Sequence, residues 1–514
     1  MGMSKRKFLL MSLSAGIFAS PALADVEISR TATNMGVTDS VSSLFPNGSV
    51  FCVDRERDSV SLGRGDEKPN HQSFDVAVIE FQDDGSFVDS RQVGAAAETV
   101  AEARKANSNG ALVVLFIHGW HHTATWYPAK YASDWDADAG DDQHFRQFRR
   151  LLMSLAVRES ERYLPSGVEG ARRVVGIYLG WNGDPTSWFG SWLSRTEYAS
   201  HLSFYDRYKA AEGVGGGRAL REALRAIIRV TKEPMPDRPE SPLVLSGHSM
   251  GALVLEAAFL ALLREKGDPM VEPLDPLHTS ANSRFGVEVK INGKRVAFPD
   301  VLLALNSAAD SGLVREISNE FQKRKLTKRF TAPNVGVEYA PPVLVSVTSS
   351  TDKATGLTWR IAQGARNVVN RLTFRASGYE GRFTDGHDPA LRTHDFEALE
   401  LRPPCVQRIG PNYGQQWHCL RYPIPRNQPT PAFQIDLPEI PSHDPGGPVH
   451  RRYELIPRFP HEARLAWLFQ VPPGLVEDHN DIFNARAGLL FMALAQISGS
   501  VMSLAEDLDR NFEQ

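Results

Sequence analysis

Residues 242–251 have the sequence PLVLSGHSMG, and the sequence ALVLEAA follows directly at residues 252–258. The apolar run predicts a buried strand, and the alanine- and leucine-rich run predicts a helix. Between them, Gly247 and Gly251 flank Ser249 in a G-x-S-x-G pattern, where a Cβ would clash as strand and helix pass closely. A serine at such a turn is held in a strained backbone conformation that lifts its hydroxyl off the end of the sheet. We therefore predict that Ser249 is a nucleophile, with a structural turn serine as the alternative.

Apolar runs and helical patterns alternate on both sides of this stretch. Further strands are predicted at residues 111–117, 173–179, 300–305, 342–347 and 465–471. Helices are predicted at residues 95–105, 143–157, 194–211, 217–230, 313–325 and 481–509. The first of these strands is apolar throughout, as is typical of a strand that is covered on both faces. Strands separated by helices favour a mostly parallel sheet with helices on both sides.

Turn signals add detail to this α/β class. Two β-rich runs at residues 74–81 and 86–91 flank Asp83-Asp84-Gly85, which predicts an antiparallel hairpin at the N-terminal edge of the sheet. A second hairpin is predicted at residues 287–298, around Asn292-Gly293. Prolines crowd between Pro403 and Pro448, so we interpret residues 355–464 as a long insertion of loops and short elements before the last strand.

Polar residues follow several of the predicted strands, at the edge where open α/β sheets carry their sites. A nucleophilic serine needs a general base, and the base needs an orienting carboxylate. Asp352 follows the strand at residues 342–347 and is the predicted acid, and His479 follows the strand at residues 465–471 and is the predicted base. The alternatives are Asp310 for the acid, and His387 or His394 for the base.

Acyl transfer also needs backbone N–H donors aimed at the developing oxyanion. Met250, the residue after the nucleophile, is predicted to supply one of them. The other is predicted from Gly119 or Trp120 in His118-Gly119-Trp120, which follows the strand at residues 111–117. A simple strand-ending turn is the alternative interpretation of residues 118–119.

From about Phe74 to the final helix, the chain resembles the α/β-hydrolase superfamily, and it is most similar to the lipase and esterase members. The resemblance is carried by residues 118–120 (HGW), residues 247–251 (GHSMG), Asp352 and residues 479–482 (HNDI). It implies Ser249 as nucleophile, His479 as base and Asp352 as its orienter. It also implies Met250 with Gly119 or Trp120 as oxyanion donors, and no cofactor. The chain departs from simple esterases in its long stretch between Asp352 and His479 and in the segment after Leu179.

The expected function is therefore hydrolysis of a carboxylic ester, with an apolar acyl group, through an acyl-enzyme. Aromatic residues are frequent between residues 181 and 208. In the hydrolase fold, residues 181–232 would pass over the site as a lid or acyl pocket for a small-molecule or lipid-like ester. Ordinary packing of helices on the core is the alternative. The same machinery would serve a thioesterase or peptidase, and a non-catalytic binding module on the same scaffold is the competing hypothesis.

The N-terminus predicts export. Lys5-Arg6-Lys7, a short apolar run and Ala22-Leu23-Ala24 form a signal-peptide pattern with cleavage after Ala24. Removing residues 1–24 takes away three positive charges, so the net charge of −4 becomes −7 and gives no footprint for nucleic acid. Residues 25–73 are predicted to be a loose arm before the domain at residues 74–514. No second apolar run is long enough to span a bilayer, so we expect a soluble periplasmic or secreted protein. The oligomeric state is left open.

Three further patterns are weaker. Cys405 and Cys419 share a proline-rich stretch and could pair in an oxidising compartment, which would leave Cys52 over; all three reduced is the alternative. The histidines after the strand at residues 111–117 have no partnering carboxylate motif, so no metal is predicted there. An acidic stretch suggests a calcium loop, but its glycine falls one place late and its twelfth position is Phe145, so a solvated loop is predicted. The histidines of the first of these two patterns are His118, His121 and His122. The aspartates of the acidic stretch are Asp134, Asp136, Asp138, Asp141 and Asp142.

Overall fold

The computed structural model describes the chain between residues 74 and 495, with gaps. The described residues are 74–120, 142–163, 172–183, 197–235, 241–265, 271–272, 288–291, 294–297, 300–323, 330–331, 338–339, 342–358, 383–400, 433–438, 450–458 and 465–484, together with His122, Ala124 and most of 487–495. Several predictions lie outside these residues: the signal peptide, the N-terminal arm, all three cysteines and most of the acidic stretch.

Fifteen strands and six α-helices occur in the part of the chain that the structure describes. The strands are β1 (Phe74–Phe81), β2 (Ala111–Ile117), β3 (Arg173–Trp181), β4 (Leu243–His248), β5 (Val271–Glu272), β6 (Glu288–Ile291), β7 (Lys294–Ala297), β8 (Val301–Leu305), β9 (Phe330–Thr331), β10 (Glu338–Tyr339), β11 (Leu344–Ser349), β12 (His394–Glu400), β13 (Phe433–Pro438), β14 (His450–Pro457) and β15 (Ala466–Val471). The helices are α1 (Arg91–Ala106), α2 (Gln143–Tyr163), α3 (Glu197–Gly216), α4 (Arg218–Lys232), α5 (Met250–Arg264) and α6 (Ser311–Lys323). None of these helices is long and apolar enough to cross a membrane.

A seven-stranded sheet in the order β1-β3-β2-β4-β8-β11-β15 forms the centre of the molecule. Every neighbouring pair in it is parallel. The predicted α/β class is therefore confirmed. Because all the pairs are parallel, the carboxyl ends of all seven strands lie along one edge. That edge carries the loops after β2, β4, β8, β11 and β15.

Both faces of the sheet are covered, which explains why its strands are apolar at consecutive positions. Alternate residues of β2 enter two separate clusters. One cluster holds Val113, Leu115 and Ile117 together with residues of α1, α3, α4, α5 and α6. The other holds Leu112, Val114 and Phe116 together with residues of α2 and of the helical end of the described chain. Each strand residue is thus buried by whichever helix layer it faces.

The N-terminal edge differs from a simple antiparallel hairpin. β1 pairs in parallel with β3 along its whole length, from Phe74 beside Val174 to Phe81 beside Trp181. The chain then turns at residues 82–86, where Gly85 has a φ of 79°, and it makes one antiparallel bridge between Phe81 and Phe87 before α1 begins. The Asp-Asp-Gly turn is present, but the antiparallel pairing around it is limited to that bridge.

Three small antiparallel sheets accompany the central sheet in the described residues, and the smallest pairs β9 with β10. β6 and β7 pair as the predicted hairpin, with β5 beside β6. The region that the sequence indicates as loops and short elements contains β12, β14 and β13, which form a three-stranded sheet. Phe396 of β12 stacks on Phe469 of β15, with ring centroids 5.7 Å apart. This small sheet therefore packs beside the last strand of the central sheet.

Glu80 of β1 joins the edge strand to α1 through a buried carboxyl group. Its main-chain N–H donates to Oε1 of Gln92 at 2.9 Å, and Nε2 of Gln92 donates to Oε2 of Glu80 at 3.0 Å. Burial raises the pKa of Glu80 from 4.5 to about 7, the Gln92 hydrogen bond opposes this, and the charge of Asp89 adds to it. Between these two values the folded protein keeps a proton that the unfolded chain has lost. Stability therefore falls as the pH rises through this window, by up to about 3 kcal/mol.

We predict that Glu80→Gln removes this loss, because a glutamine in the same place has no proton to release. The melting temperature of the variant, measured relative to wild type by differential scanning fluorimetry, should rise between about pH 5 and about pH 8. Glu98→Gln is the matched control, since Glu98 is exposed on α1. Its melting temperature should stay at a constant offset from wild type. A Glu80→Gln variant that loses as much stability as wild type across this range would contradict the prediction.

Candidate active site

Ser249 lies at the turn between β4 and α5, with φ 55° and ψ −121°. A positive φ is unfavourable for a residue with a Cβ and costs of order 1–3 kcal/mol unless the surroundings hold it. Here the Ser249 N–H donates to the carbonyl of Leu305 at 3.0 Å, and the Ser249 carbonyl accepts from the N–H of Ala308 at 3.0 Å. The turn is thus fastened on both sides to the chain around the end of β8.

The glycines around Ser249 are required by close contacts with the main chain. A Cβ on Gly251 would lie 2.3 Å from the carbonyl oxygens of both Ile117 and His118, and one on Gly247 would lie 2.7 Å from the carbonyl oxygen of Gly251. No side chain fits at such distances, as the sequence pattern predicts. The helix after the serine can therefore pass directly over the end of β2.

The three residues predicted to act together are joined by hydrogen bonds. Nε2 of His479 lies 2.8 Å from Oγ of Ser249, and Nδ1 of His479 lies 3.0 Å from Oδ2 of Asp352. The side chain of Asp352 is fully buried, whereas that of His479 is 17% exposed. The carboxylate fixes the tautomer: Nδ1–H donates to Asp352, and Nε2 is left to accept from the serine hydroxyl.

Asp352 is held as an anion by its hydrogen bonds. The N–H groups of Ala354 and Thr355 donate to Oδ1 at 2.9 and 3.1 Å, and the Thr355 hydroxyl donates to Oδ2. Burial by itself would raise the pKa of Asp352, but the hydrogen bond and charge of His479, followed by the bonds from Thr355, lower it to about 2. The carboxylate thus stays charged across the physiological range and can stabilise a protonated imidazole.

The alternative acid and bases have other partners. Asp310 accepts the N–H of Gly312 at 2.7 Å, at the start of α6. Nδ1 of His387 lies 3.3 Å from Nε2 of Gln470. His394 lies against Trp467, with ring centroids 4.5 Å apart. The structure places the hydroxyl of Ser249 with His479 and not with these residues.

The loop after β2, where oxyanion donors are predicted, lies against the serine. A Cβ on Gly119 would be only 3.0 Å from Cβ of Ser249, so the chain approaches the nucleophile as closely as glycine permits. Met250 is the first residue of α5, where main-chain N–H groups have no partner within the helix. Trp120 is half-buried and packs against the core. Gly119 and Met250 therefore lie beside Ser249, and the role of Met250 with Gly119 or Trp120 as oxyanion donors stays a prediction.

His118 and His122 fix this loop in place. The His118 ring accepts the N–H of Trp181 on Nε2 at 3.1 Å, and its Nδ1 donates to the carbonyl of Gly119 at 2.8 Å. It also stacks on the Trp181 ring, with centroids 5.8 Å apart. Nδ1 of His122 lies 3.2 Å from the carboxylate of Asp142. Among the described residues, no group of three or more His, Cys, Asp or Glu could hold a metal ion.

The structure describes residues 181–183 and 197–232 of the predicted lid. Trp181 and Tyr208 are buried in the core, which agrees with ordinary packing for these two aromatic residues. Trp188, Phe189 and Trp192 lie outside the described residues, and the structure describes only the backbone of Tyr198, Phe204 and Tyr205, which belong to α3. An acyl pocket in this segment stays a prediction.

A buried pair of carboxyl groups beneath the serine helix was not predicted. Glu256 of α5 accepts from the Ser307 hydroxyl at 3.2 Å, and Asp385 of the insertion accepts from the Ser346 hydroxyl at 2.6 Å. Burial raises the pKa of Glu256 well above its usual range and that of Asp385 to about 6. The pair thus retains a proton near neutral pH and fastens the insertion to the central sheet. No sequence signal identifies it, because its members are 129 positions apart by their residue numbers, 256 and 385.

The sequence also did not predict the side chains that support the His479 loop. Asn306 and His248 both contact the carbonyl oxygen of His479, at 2.8 and 2.7 Å. The one usable signal is position, since Asn306 directly follows β8 at the edge that carries the site.

Comparison of the chain with protein-family models, with curated proteins and with solved structures found no match.

We predict that Gly251→Ala destabilises the protein, because the new methyl group would overlap main-chain oxygens that cannot move aside. The free energy of unfolding in urea should fall by about 1–3 kcal/mol. Gly94→Ala is the matched control: Gly94 lies within α1, and a Cβ there would have nothing within 4 Å. That variant should gain about 0.5–1 kcal/mol, as alanine is the better helix former. If Gly251→Ala proves as stable as wild type, α5 does not pack as closely on the end of β2 as these contacts indicate.

Proposed function

We propose that this chain is a serine hydrolase with the α/β-hydrolase fold, which cleaves a carboxylic ester through an acyl-enzyme. The observation that carries the proposal is the row of hydrogen bonds from Ser249 through His479 to Asp352, at 2.8 and 3.0 Å. A serine, a histidine and a buried carboxylate in this order are the arrangement that nucleophilic acyl transfer requires.

The placement of these residues in the sheet supports the same fold. Ser249 follows β4, Asp352 follows β11 and His479 follows β15, so all three lie at the carboxyl ends of parallel strands. The chain order of serine, acid and histidine is the order of the α/β-hydrolase fold. The positive φ of Ser249 matches the strained turn that presents the nucleophile in that fold.

The chemistry follows from the geometry. Oγ of Ser249 attacks the ester carbonyl carbon while its proton passes to Nε2 of His479. N–H groups of Met250 and of Gly119 or Trp120 stabilise the oxyanion of the tetrahedral intermediate. The bond between the carbonyl carbon and the alcohol oxygen then breaks, and His479 donates the proton that it took from Ser249 to that oxygen.

Water completes the cycle. It attacks the acyl-serine carbonyl while His479 takes its proton, and the bond to Oγ then breaks. The proton passes from His479 to Oγ, which releases the carboxylic acid and restores the serine hydroxyl. Asp352 stays ionised throughout and stabilises the imidazolium in both halves of the reaction.

The substrate proposal is an ester with an apolar acyl group, acted on by an exported enzyme. A panel of p-nitrophenyl esters and the corresponding thioesters, graded in acyl length, tests it. We expect higher kcat/KM for oxygen esters and for the longer acyl groups. A preference for thioesters or for acetyl groups would replace this substrate class while leaving the serine mechanism intact.

We predict that Ser249→Ala lowers the turnover of p-nitrophenyl esters by about 10⁵- to 10⁶-fold, because the nucleophile is lost. Ser246→Ala is the matched control: this serine is also buried on β4, and its hydroxyl donates to the Leu115 carbonyl at 3.0 Å. The control should keep turnover close to wild type, and both variants should remain folded by circular dichroism. Turnover that survives in Ser249→Ala would exclude this serine as nucleophile.

We predict that Asp352→Asn lowers kcat by about 10³- to 10⁴-fold, because an amide no longer stabilises the imidazolium or selects its tautomer. Asp310→Asn replaces the alternative acid, which caps α6, and should leave kcat near wild type. Steady-state kinetics on one ester measure both variants. The reverse pattern, with Asp310→Asn inactive and Asp352→Asn active, would transfer the role of orienting acid to Asp310.

A further inference from the structure

Four consecutive main-chain carbonyls, ending at the predicted base, accept hydrogen bonds from side chains at or just beyond the ends of β4, β8 and β11. Val476 accepts from the Ser349 hydroxyl, Glu477 from the Thr351 hydroxyl, Asp478 from the Asn306 amide, and His479 from both the Asn306 amide and the His248 ring. Side-chain donors to four successive carbonyls hold a loop that has no strand or helix of its own. This row of bonds fixes the position of the His479 main chain relative to the carboxyl ends of the strands.

Asn306 is at the centre of this arrangement. Its Nδ2 donates to the carbonyls of His479 at 2.8 Å and Asp478 at 3.2 Å, while its Oδ1 accepts the N–H of Ser349 at 2.8 Å. An asparagine amide has two N–H donors and one oxygen acceptor, so the group bonds on both sides. It thereby links the loop that carries the base to the end of β11, from which the loop that carries the acid departs.

The backbone of Asn306 favours this residue type as well. Its φ is 45°, and it shares a positive φ with Ser249 among the described non-glycine residues. Asparagine tolerates this region better than other residues with a Cβ. Its side chain is buried, so each of its hydrogen bonds is protected from water.

His248 holds the same carbonyl from the other side. Nε2 of His248 lies 2.7 Å from the His479 carbonyl oxygen, so this nitrogen carries the proton and donates. Burial lowers the pKa of His248 well below its usual value, and the neighbouring His479 adds to the effect. A neutral ring can lie with its centroid 4.8 Å from the His479 ring without repelling the imidazolium that forms during turnover.

We infer that Asn306, assisted by His248, is a positioning residue that holds His479 within hydrogen-bond distance of Ser249. The inference rests on the proposed function, and it adds residues that act through the base without touching the substrate. An imidazole reaches only as far as its own Cα allows, so a loop displaced by about 1 Å would cost about a hundredfold in rate. Because these bonds hold the backbone of the base, we expect their loss to lower kcat more than it changes KM.

Asn306→Gly is the most informative variant, because glycine keeps the positive φ while removing the amide. We expect kcat for a p-nitrophenyl ester to fall about a hundredfold, with KM within about twofold of wild type. We also expect the downfield proton resonance of His479 Nδ1–H, which reports the bond to Asp352, to broaden or disappear. Ser246→Ala is the control for loss of a buried hydrogen bond and should keep both the rate and the resonance.

Thr351→Val provides a second variant at an exposed position, so folding is not at risk. It removes the bond to Glu477 and the 2.9 Å contact with the Ser349 hydroxyl, and we expect kcat to fall about two- to tenfold. If folded Asn306→Gly keeps both the wild-type kcat and the resonance, the inference is wrong. If Asn306→Gly does not fold, Asn306→Asp takes its place: the carboxylate keeps an acceptor for the Ser349 N–H but has no N–H to donate to His479. An unchanged kcat and resonance in Asn306→Asp would then overturn the inference.

The two readouts separate this inference from the proposed function. Wild-type protein that hydrolyses no ester would contradict the function, yet the Nδ1–H resonance would still report whether Asn306 positions His479. Active wild-type protein whose Asn306→Gly variant is equally active would contradict the inference alone.

Discussion

The backbone of Ser249 is the constraint on which the rest of the site depends. A serine with φ 55° is unfavourable in isolation, and here it is held by main-chain hydrogen bonds to Leu305 and Ala308. The passage of α5 over the end of β2 requires a glycine at position 251, since any Cβ there would meet two carbonyl oxygens at 2.3 Å. Together these contacts present the hydroxyl at the sheet edge, and the loops after β11 and β15 need only bring the acid and the base to it.

The charged and neutral groups around Ser249 and His479 differ in how burial affects them. Asp352 is buried and yet ionised, because donors from His479 and Thr355 lower its pKa to about 2. The neighbouring His248 and His144 are kept neutral, since burial lowers the pKa of each. The site thus combines one buried, ionised carboxylate with two uncharged histidine rings, so it holds no second positive charge from His248 or His144.

The sequence predicted those features that local patterns determine. Ser249, Asp352 and His479 could be found because apolar runs identify strands, and the carboxyl ends of parallel strands meet at one edge. The parallel pairing of β1 with β3 was not predicted. The Asp-Asp-Gly turn is a local signal in the sequence, whereas the choice of β3 as the partner strand depends on packing between distant parts of the chain. The insertion sheet of β12, β13 and β14 was not predicted because prolines crowd the chain that connects these strands, between Pro403 and Pro448. Asn306, His248, Glu256 and Asp385 act through contacts between distant positions, such as 248 and 479, which spacing alone does not reveal.

The central claim is that the hydroxyl of Ser249 is activated by His479, and a fluorophosphonate tests it directly. Wild-type protein should be treated with the reagent, digested, and its peptides analysed by mass spectrometry to locate the phosphonate. The account predicts one adduct, on the peptide that carries Ser249, and none after substitution of His479 by alanine. An unmodified Ser249 peptide, or an adduct on another residue, would contradict it.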